Sequence, residues 1–163
     1  SAAPTYLPIH NIDSSQFVDG GVWANNPSLV GLMEYLYQFA DDERFNGVDI
    51  LSISSLELPQ GGTFRKTSNS FADWGAGLID LFSIGQAKSM EKLFQFLDGK
   101  FKFPMRYVRI ANSSLSPQQI QLIDMDNASK ASLDLLQSIG IQTAVNAKMN
   151  QEVINFFVTK KTI

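Results

Sequence analysis

The segment from Phe17 to Pro27, F-V-D-G-G-V-W-A-N-N-P, constrains the fold of this chain more than any other stretch. Its first two residues are apolar and typical of the end of a buried strand, and they lead directly into Asp19. Gly20 and Gly21 follow, and this pair predicts a tight turn that uses the positive φ that other residues avoid. The backbone therefore holds one carboxylate at a strand end, which is a suitable position for a catalytic acid or base.

A helix is predicted directly after this turn. Asn25 and Asn26 precede Pro27, an order typical of a helix N-cap followed by proline at the first helical position. Apolar residues at three- and four-residue spacing then extend to Ala40 and predict an amphipathic helix that packs on a sheet. Both asparagines are also candidates for hydrogen bonds around the Asp19 turn, so a helix cap and a supporting role at the site stay open for them.

Taken with S-A-A-P-T-Y-L-P from Ser1 to Pro8, this segment closely resembles the second half of the catalytic domain of the patatin-like phospholipases. That family consists of serine lipid acyl hydrolases that work with a Ser-Asp dyad. The resemblance assigns the dyad aspartate to Asp19, with Gly20 and Gly21 as its supporting turn. It also implies a partial three-layer α/β/α domain, in which a mostly parallel sheet is flanked by helices.

The resemblance is specific up to the helix that follows Pro27 and is weaker beyond it. V-D-I-L-S-I-S, from Val48 to Ser54, is similar to the family's next core strand. D-M-D-N-A-S, from Asp124 to Ser129, is similar to a late segment of the family. These later similarities carry little information of their own, so the assignment of the family depends on the first segment.

The sequence departs from the family pattern at the nucleophile. In the family the reactive serine lies in G-x-S-x-G, on a strand-to-helix turn, and a glycine-rich loop upstream of it forms the oxyanion hole. Neither motif occurs in these 163 residues. We therefore expect residues 1–163 to be the C-terminal portion of a single domain, to need the missing N-terminal half as a partner, and to be inactive alone.

Charge and composition limit the classes of partner. The chain is 44% hydrophobic and carries a formal net charge of -3, with a pI near 5.0. An acidic chain argues against a nucleic-acid partner. Peripheral contact with a membrane would have to depend on a local apolar surface. The sequence contains no run of about 18 apolar residues, so it predicts no transmembrane helix. Without cysteine the chain has neither disulfides nor thiolate metal sites, which is compatible with both a cytoplasmic and a secreted protein.

Strands that alternate with helices predict an α/β fold. The apolar run from Val48 to Ser54 is typical of a buried parallel strand, and residues 103–111 alternate as a strand with one wetter face does. Residues 116–119 have the spacing of a capping box. The remaining predictions are a loop over 57–69, a helix over 73–97 with a candidate break at Gly85, and helices over 128–139 and 143–158 separated by Gly140.

His10 is the only histidine of the chain and is the first residue of a predicted polar loop, 10–16. A role in a catalytic triad is one interpretation, but the family works with a dyad, and no acid or hydroxyl is fixed near His10 by periodicity. We therefore favour a histidine exposed to solvent.

Four phenylalanines alternate with lysines between residues 92 and 103. Such a pattern is typical either of a patch that docks on lipid, with lysines at the level of the headgroups, or of a core helix followed by a strand. We favour the core for Phe94. For Phe101 and Phe103 the two interpretations stay open.

The resemblance implies an enzyme that hydrolyses acyl esters of phospholipids or related lipids, with Asp19 as partner of a serine that this chain lacks. It implies neither a metal nor an organic cofactor. The alternative is a catalytically inactive patatin-like domain that binds lipid or a protein, and a weaker one is an unrelated α/β binding domain. Because a partial sheet leaves apolar edges unpaired, we also expect this chain to associate with itself.

Overall fold

The computed structural model of the chain describes residues 7–56, 76–111, 113–124 and 126–158. Over these residues it contains two small sheets and six helices. The strands are β1 (His10–Ile12), β2 (Ser15–Phe17), β3 (Val48–Ile53) and β4 (Met105–Ile110). The helices are α1 (Gly21–Ala24), α2 (Ser28–Gln38), α3 (Ala76–Leu97), α4 (Pro117–Ile120), α5 (Lys130–Ala147) and α6 (Gln151–Val158).

The chain divides into two compact units. Unit 1 comprises Ser1–Glu43 and Gln60–Lys102, and unit 2 comprises Arg44–Pro59 and Phe103–Ile163. Unit 1 therefore carries Asp19, and unit 2 carries the parallel strands. The interpretation of 1–163 as one portion of a single domain stays a prediction.

Unit 1 begins with an antiparallel hairpin in which β1 pairs with β2, and His10 lies opposite Phe17. The turn contains Asp13 with φ of 52°, a left-handed conformation that aspartate tolerates better than most residues. The prediction of an irregular loop over 10–16 was therefore wrong. The prediction of a buried strand before Asp19 was also wrong, because Phe17 is 49% and Val18 54% exposed. Within the described residues β2 has a partner strand on one side only.

The helices of unit 1 follow the predicted apolar periodicity. α2 spans 11 residues and buries Leu32, which is 1% exposed. α3 spans 22 residues and buries Phe94 completely. It continues through Gly85, so the candidate break there was wrong; a glycine inside a long helix costs only about 1 kcal/mol relative to alanine. The predicted start of this helix at residue 73 and the predicted loop over 57–69 lie outside the described residues.

Unit 2 contains a parallel pair of six-residue strands, in register from Val48 opposite Met105 to Ile53 opposite Ile110. This confirms the prediction of a parallel strand over this segment. The predicted full burial of the strand was wrong, since Ser52 is the one buried residue of β3. In the described part of the chain, β3 pairs with β4 alone, and a strand with a single neighbour keeps much of its surface exposed.

An ion pair joins the two strands of unit 2 where Asp49 lies opposite Arg106. The guanidinium of Arg106 donates two hydrogen bonds to the carboxylate, at 2.6 and 3.2 Å. It also lies 4.3 Å from the ring centroid of Phe156 on α6, in cation–π geometry. Arg106 thus connects β3, β4 and α6, and α6 packs against both strands.

The C-terminal helices of unit 2 differ from prediction in where they break. α4 begins with the predicted capping box, in which the Ser116 hydroxyl accepts from the Gln119 N–H and the Gln119 side chain accepts from the Ser116 N–H. α5 continues through Gly140 to Ala147, so the predicted separation at Gly140 was wrong. The two helices are separated at residues 148–150 instead. Asn150 Oδ1 accepts from the Glu152 N–H at the start of α6.

The α/β class predicted from the sequence is confirmed by the parallel pair and its flanking helices. Over the described residues, the architecture is that of part of an α/β domain. Across the residues that are described, none of the helices is both long and apolar enough to cross a membrane.

Candidate active site around Asp19

Asp19 lies between β2 and α1, and a local hydrogen bond fixes its half-buried carboxylate. Oδ1 accepts from the Gly21 N–H at 2.7 Å, which is an Asx turn, and the Asp19 carbonyl accepts from the Val22 N–H at 3.1 Å. In the described part of the chain, the other carboxylate oxygen, Oδ2, receives no hydrogen bond from the protein. One oxygen of Asp19 is thus held by the backbone, and the other is open to a partner.

The two glycines do not adopt the positive φ predicted for them. Gly20 has φ of −60° and ψ of −24°, and Gly99 is the one described glycine with positive φ. The reason for glycine at position 21 is steric, because a Cβ there would lie 2.9 Å from Asp19 Oδ1. A Cβ on Gly20 would meet no atom within 4 Å. A Cβ at position 21 would therefore have to displace the Asp19 carboxylate from its present position, whereas position 20 carries no such constraint.

α3 supports the turn that follows Asp19. The Gln86 side chain accepts from the Asn25 N–H at 2.6 Å and donates to the Trp23 carbonyl at 2.5 Å. Asn25 Nδ2 also donates to the Ser83 carbonyl at 3.4 Å. These three bonds connect the C-terminal end of α1 to one face of α3. A four-residue helix has little stability of its own, so this connection stabilises the backbone on which the carboxylate depends.

The two asparagines have different roles in the structure. Asn26 is 4% exposed, and its Oδ1 accepts from the Ser28 N–H at 3.2 Å and from the Ser28 hydroxyl at 2.7 Å. Asn26 thereby accepts the first N–H of α2, although it lies one position before the N-cap residue. Pro27 is the N-cap rather than the first helical residue, so that prediction was wrong by one position. Asn26 Nδ2 is buried and has no hydrogen-bond partner among the described residues.

The structure also places two other candidates from the sequence. His10 is exposed on β1, which agrees with the interpretation favoured for it. Phe94 is fully buried, which confirms the core interpretation, whereas Phe96 on the same helix is 70% exposed. Within the described ranges, no group of three or more histidine and acidic side chains is placed to hold a metal ion.

A cavity of about 410 Å³ lies in unit 2, where β3 and β4 end and α5 and α6 meet. Its walls are mostly apolar and include Ile53, Ile110, Ala144 and Phe157. Asp19 is not among its lining residues. This cavity was not predicted from the sequence, because its lining residues come from β3, β4 and the two C-terminal helices and meet only in the folded chain. Gln86 was also not predicted, because its partners Trp23 and Asn25 lie far from it in the sequence and it is one polar residue in a long amphipathic helix.

The chain is similar to curated proteins over nearly its whole length. A "cGAMP-activated phospholipase" of Escherichia coli (strain TW11681) is 31% identical in an alignment of 175 positions that covers 98% of this chain and 48% of that protein. A protein of the same name from Vibrio cholerae is 30% identical in an alignment of 173 positions that covers 96% of this chain and 47% of that protein. "Patatin-like protein 1" of Arabidopsis thaliana is 27% identical in an alignment of 179 positions that covers 94% of this chain and 42% of that protein.

The chain thus spans about half the length of the curated relatives it matches. No protein-family model matches it, and no solved structure matches it significantly. The names of the relatives nonetheless agree, since each is a phospholipase or a patatin-like protein.

Proposed function

We infer from these similarities that the chain belongs to the patatin-like phospholipase family, and we propose that it supplies the catalytic aspartate of a lipid acyl hydrolase. Asp19 is the residue that carries the proposal. Its support is the geometry of the turn, in which Oδ1 accepts from the Gly21 N–H and Oδ2 accepts no hydrogen bond from the described residues. The nucleophilic serine is contributed by residues outside these 163, which contain no G-x-S-x-G.

In the proposed reaction, the serine attacks the ester carbonyl of a phospholipid or a related acyl lipid. Asp19 accepts the hydroxyl proton through Oδ2 and returns it to the leaving alcohol, which produces an acyl-enzyme. It then accepts a proton from the water that attacks the acyl-enzyme, and it returns this proton to the serine oxygen as the bond to the acyl group breaks and the fatty acid leaves. The Gly21 N–H keeps the carboxylate oriented through both steps, because its bond to Oδ1 does not compete with the proton at Oδ2.

The test is Asp19→Asn in the complete protein. We expect the fold to persist and turnover of a chromogenic acyl ester to fall by about 10²- to 10⁴-fold, the usual contribution of a positioned general base. The assay is run with and without cGAMP, because the bacterial relatives are named as cGAMP-activated and an unstimulated enzyme would mask the loss.

Asp13→Asn is the matched control. It makes the same chemical change six positions earlier, on the exposed hairpin turn, and asparagine tolerates the left-handed φ of Asp13 well. We expect this variant to keep both its activity and its melting temperature. Wild-type turnover by the Asp19→Asn variant would refute the assignment. If the complete protein lacks a serine in G-x-S-x-G and hydrolyses no acyl ester, the chain belongs instead to a catalytically inactive domain that binds lipid or protein.

A further inference from the structure

The coil that leads into β3 contains the one Asn-Gly pair of the sequence, at Asn46 and Gly47. Both residues lie outside regular secondary structure, and Asn46 is exposed to solvent. Neither the Asn46 side chain nor the Gly47 N–H makes a hydrogen bond to any of the described residues. The carbonyl carbon of the Asn46 side chain and the backbone nitrogen of Gly47 can therefore approach each other without first breaking such a bond.

Close packing against Pro104 favours glycine directly after Asn46. A Cβ at position 47 would lie 2.7 Å from the Pro104 carbonyl oxygen and 3.2 Å from the Pro104 Cβ. The same carbonyl accepts from the Val48 N–H at 3.0 Å, where β3 begins to pair with β4. A side chain at position 47 would therefore have to shift the backbone that enters β4. Gly47 does not have positive φ, so this close approach, rather than its dihedral angles, is the constraint on the residue.

We propose that Asn46 is a site of spontaneous deamidation, and that the reaction places a β-linked aspartyl residue directly before β3. The Gly47 nitrogen loses its proton and attacks Cγ of Asn46, and the bond from Cγ to the side-chain nitrogen breaks. That nitrogen takes up a proton and leaves as ammonia, so a five-membered succinimide ring remains. Water then adds to either ring carbonyl and opens the ring, which gives aspartate or its β-linked isomer. Glycine favours the attack because it has no Cβ beside the nitrogen.

The two products differ in their effect on the strand pair. Aspartate replaces a neutral amide by a carboxylate and leaves the main chain unchanged. The β-linked isomer also takes the main chain through the Cβ of residue 46, which lengthens it by one methylene group. This extra length lies just before the bond between the Val48 N–H and the Pro104 carbonyl, so we expect the first pairing of β3 with β4 to loosen. The proposal goes beyond the hydrolysis proposed for Asp19 and does not require it, because it rests on residues of unit 2 alone.

The test is to incubate the complete protein at mildly alkaline pH and to follow each asparagine by peptide mapping with mass spectrometry. Deamidation raises the mass of a peptide because OH replaces NH₂, and isoaspartyl methyltransferase labels the β-linked product. We expect Asn46 to be converted at least about tenfold faster than the exposed Asn11, because Asn11 is followed by the β-branched Ile12. The native rate at Asn46 should lie within about tenfold of the rate after unfolding in guanidinium chloride, since no bond to the described residues has to open first.

Asn46→Gln is the control for the site, because glutamine keeps the amide but would have to close a less favourable six-membered ring. This variant should lose both signals at the peptide that contains residue 46. Freshly purified Asn46→Asp represents the aspartate product and should keep the wild-type amide exchange at Val48, whereas aged wild-type protein should exchange there faster. A native rate below the expected range, a rate at Asn46 no greater than at Asn11, or unchanged labelling of Asn46→Gln would overturn the proposal. Unchanged exchange at Val48 in the aged protein would refute the effect on β3.

Discussion

At the scale of single residues, the two adjacent glycines after Asp19 look equivalent in the sequence but have different surroundings in the structure. Gly20 has ordinary helical dihedrals and open space around its missing Cβ. Gly21 donates its N–H to the carboxylate, and a Cβ at this position would approach Asp19 Oδ1 to 2.9 Å. A side chain at position 21 would therefore displace the carboxylate, and one at position 20 would not.

This difference predicts opposite outcomes for two alanine substitutions in the complete protein. Gly21→Ala places a Cβ 2.9 Å from Asp19 Oδ1 and should displace the carboxylate, which lowers acyl-ester turnover by about tenfold to a hundredfold. Gly20→Ala should keep turnover close to the wild-type value. The measurement is kcat and KM for a chromogenic ester, together with the melting temperature. Equal losses in both variants would mean that close approach at position 21 is not the reason for glycine.

Two hydroxyls of α5 give a second residue-scale prediction. The Ser129 hydroxyl accepts from the Ser132 N–H and caps the helix, so Ser129→Ala should lower the free energy of unfolding by about 1 kcal/mol. The Thr143 hydroxyl is buried and has no hydrogen-bond partner in the described part of the chain. Thr143→Val should therefore leave that free energy unchanged or raise it, because it removes a desolvated polar group. Urea unfolding of both variants measures the difference. A larger loss for Thr143→Val than for Ser129→Ala would contradict this account.

At the scale of elements, the site depends on a contact between a short helix and a long one. α1 has four residues, and Gln86 of α3 bonds to the backbone at two of its terminal positions. Gln86→Ala should loosen α1 and reduce turnover through poorer positioning of Asp19. Gln95→Ala is the matched control, because Gln95 lies exposed on the same helix and accepts only from Lys92.

We expect the Gln86→Ala variant to lose kcat with little change in KM, and amide exchange at residues 21–25 to increase. Each lost hydrogen bond contributes about 0.5–1.5 kcal/mol to stability, so the global melting temperature should fall only slightly. A normal kcat combined with normal exchange would show that α3 does not support the turn.

The sequence predicted those parts of the fold that depend on local periodicity. Alternation and apolar spacing were sufficient for β3, β4, α2 and the body of α3, and the capping box of α4 was correct in its bonds. The failures concern glycines and termini. Gly85 and Gly140 were interpreted as helix breaks, but both lie inside helices with open space around them, where a glycine weakens a helix without ending it.

At the scale of the whole molecule, the limits of prediction lie in tertiary contacts. The position of Asp19 was predicted from sequence, but the reason for Gly21, the bonds of Gln86 and the cavity of unit 2 each depend on atoms distant in the chain. Burial was also overestimated, as Val18 and Ile53 show, because the apolar residues of a strand do not reveal how many neighbours it has.

The exposed apolar side chains also have a consequence for the 163-residue chain on its own. Large side chains that are at least two-thirds exposed occur in both units, and they include Trp23, Phe82 and Phe96 in unit 1 and Ile53 and Phe157 in unit 2. Apolar surface of this kind favours association, since burying it contributes about 25 cal/mol per Å². We therefore predict that the chain alone associates in sedimentation velocity at micromolar concentration and binds an apolar fluorescent dye, whereas the complete protein does so less.

Replacement of Phe82 and Phe96 by serine tests whether the outer face of α3 takes part in this association. Both side chains are exposed, so the double variant should fold, sediment more slowly and bind less dye. Lys88→Ser on the same helix removes an exposed polar side chain of comparable length and should leave association unchanged. A monomeric wild-type chain would refute the prediction. Equal association of all three proteins would place the associating surface elsewhere. Ile53 and Phe157 of unit 2, which are 70% and 75% exposed, would then be the side chains to replace.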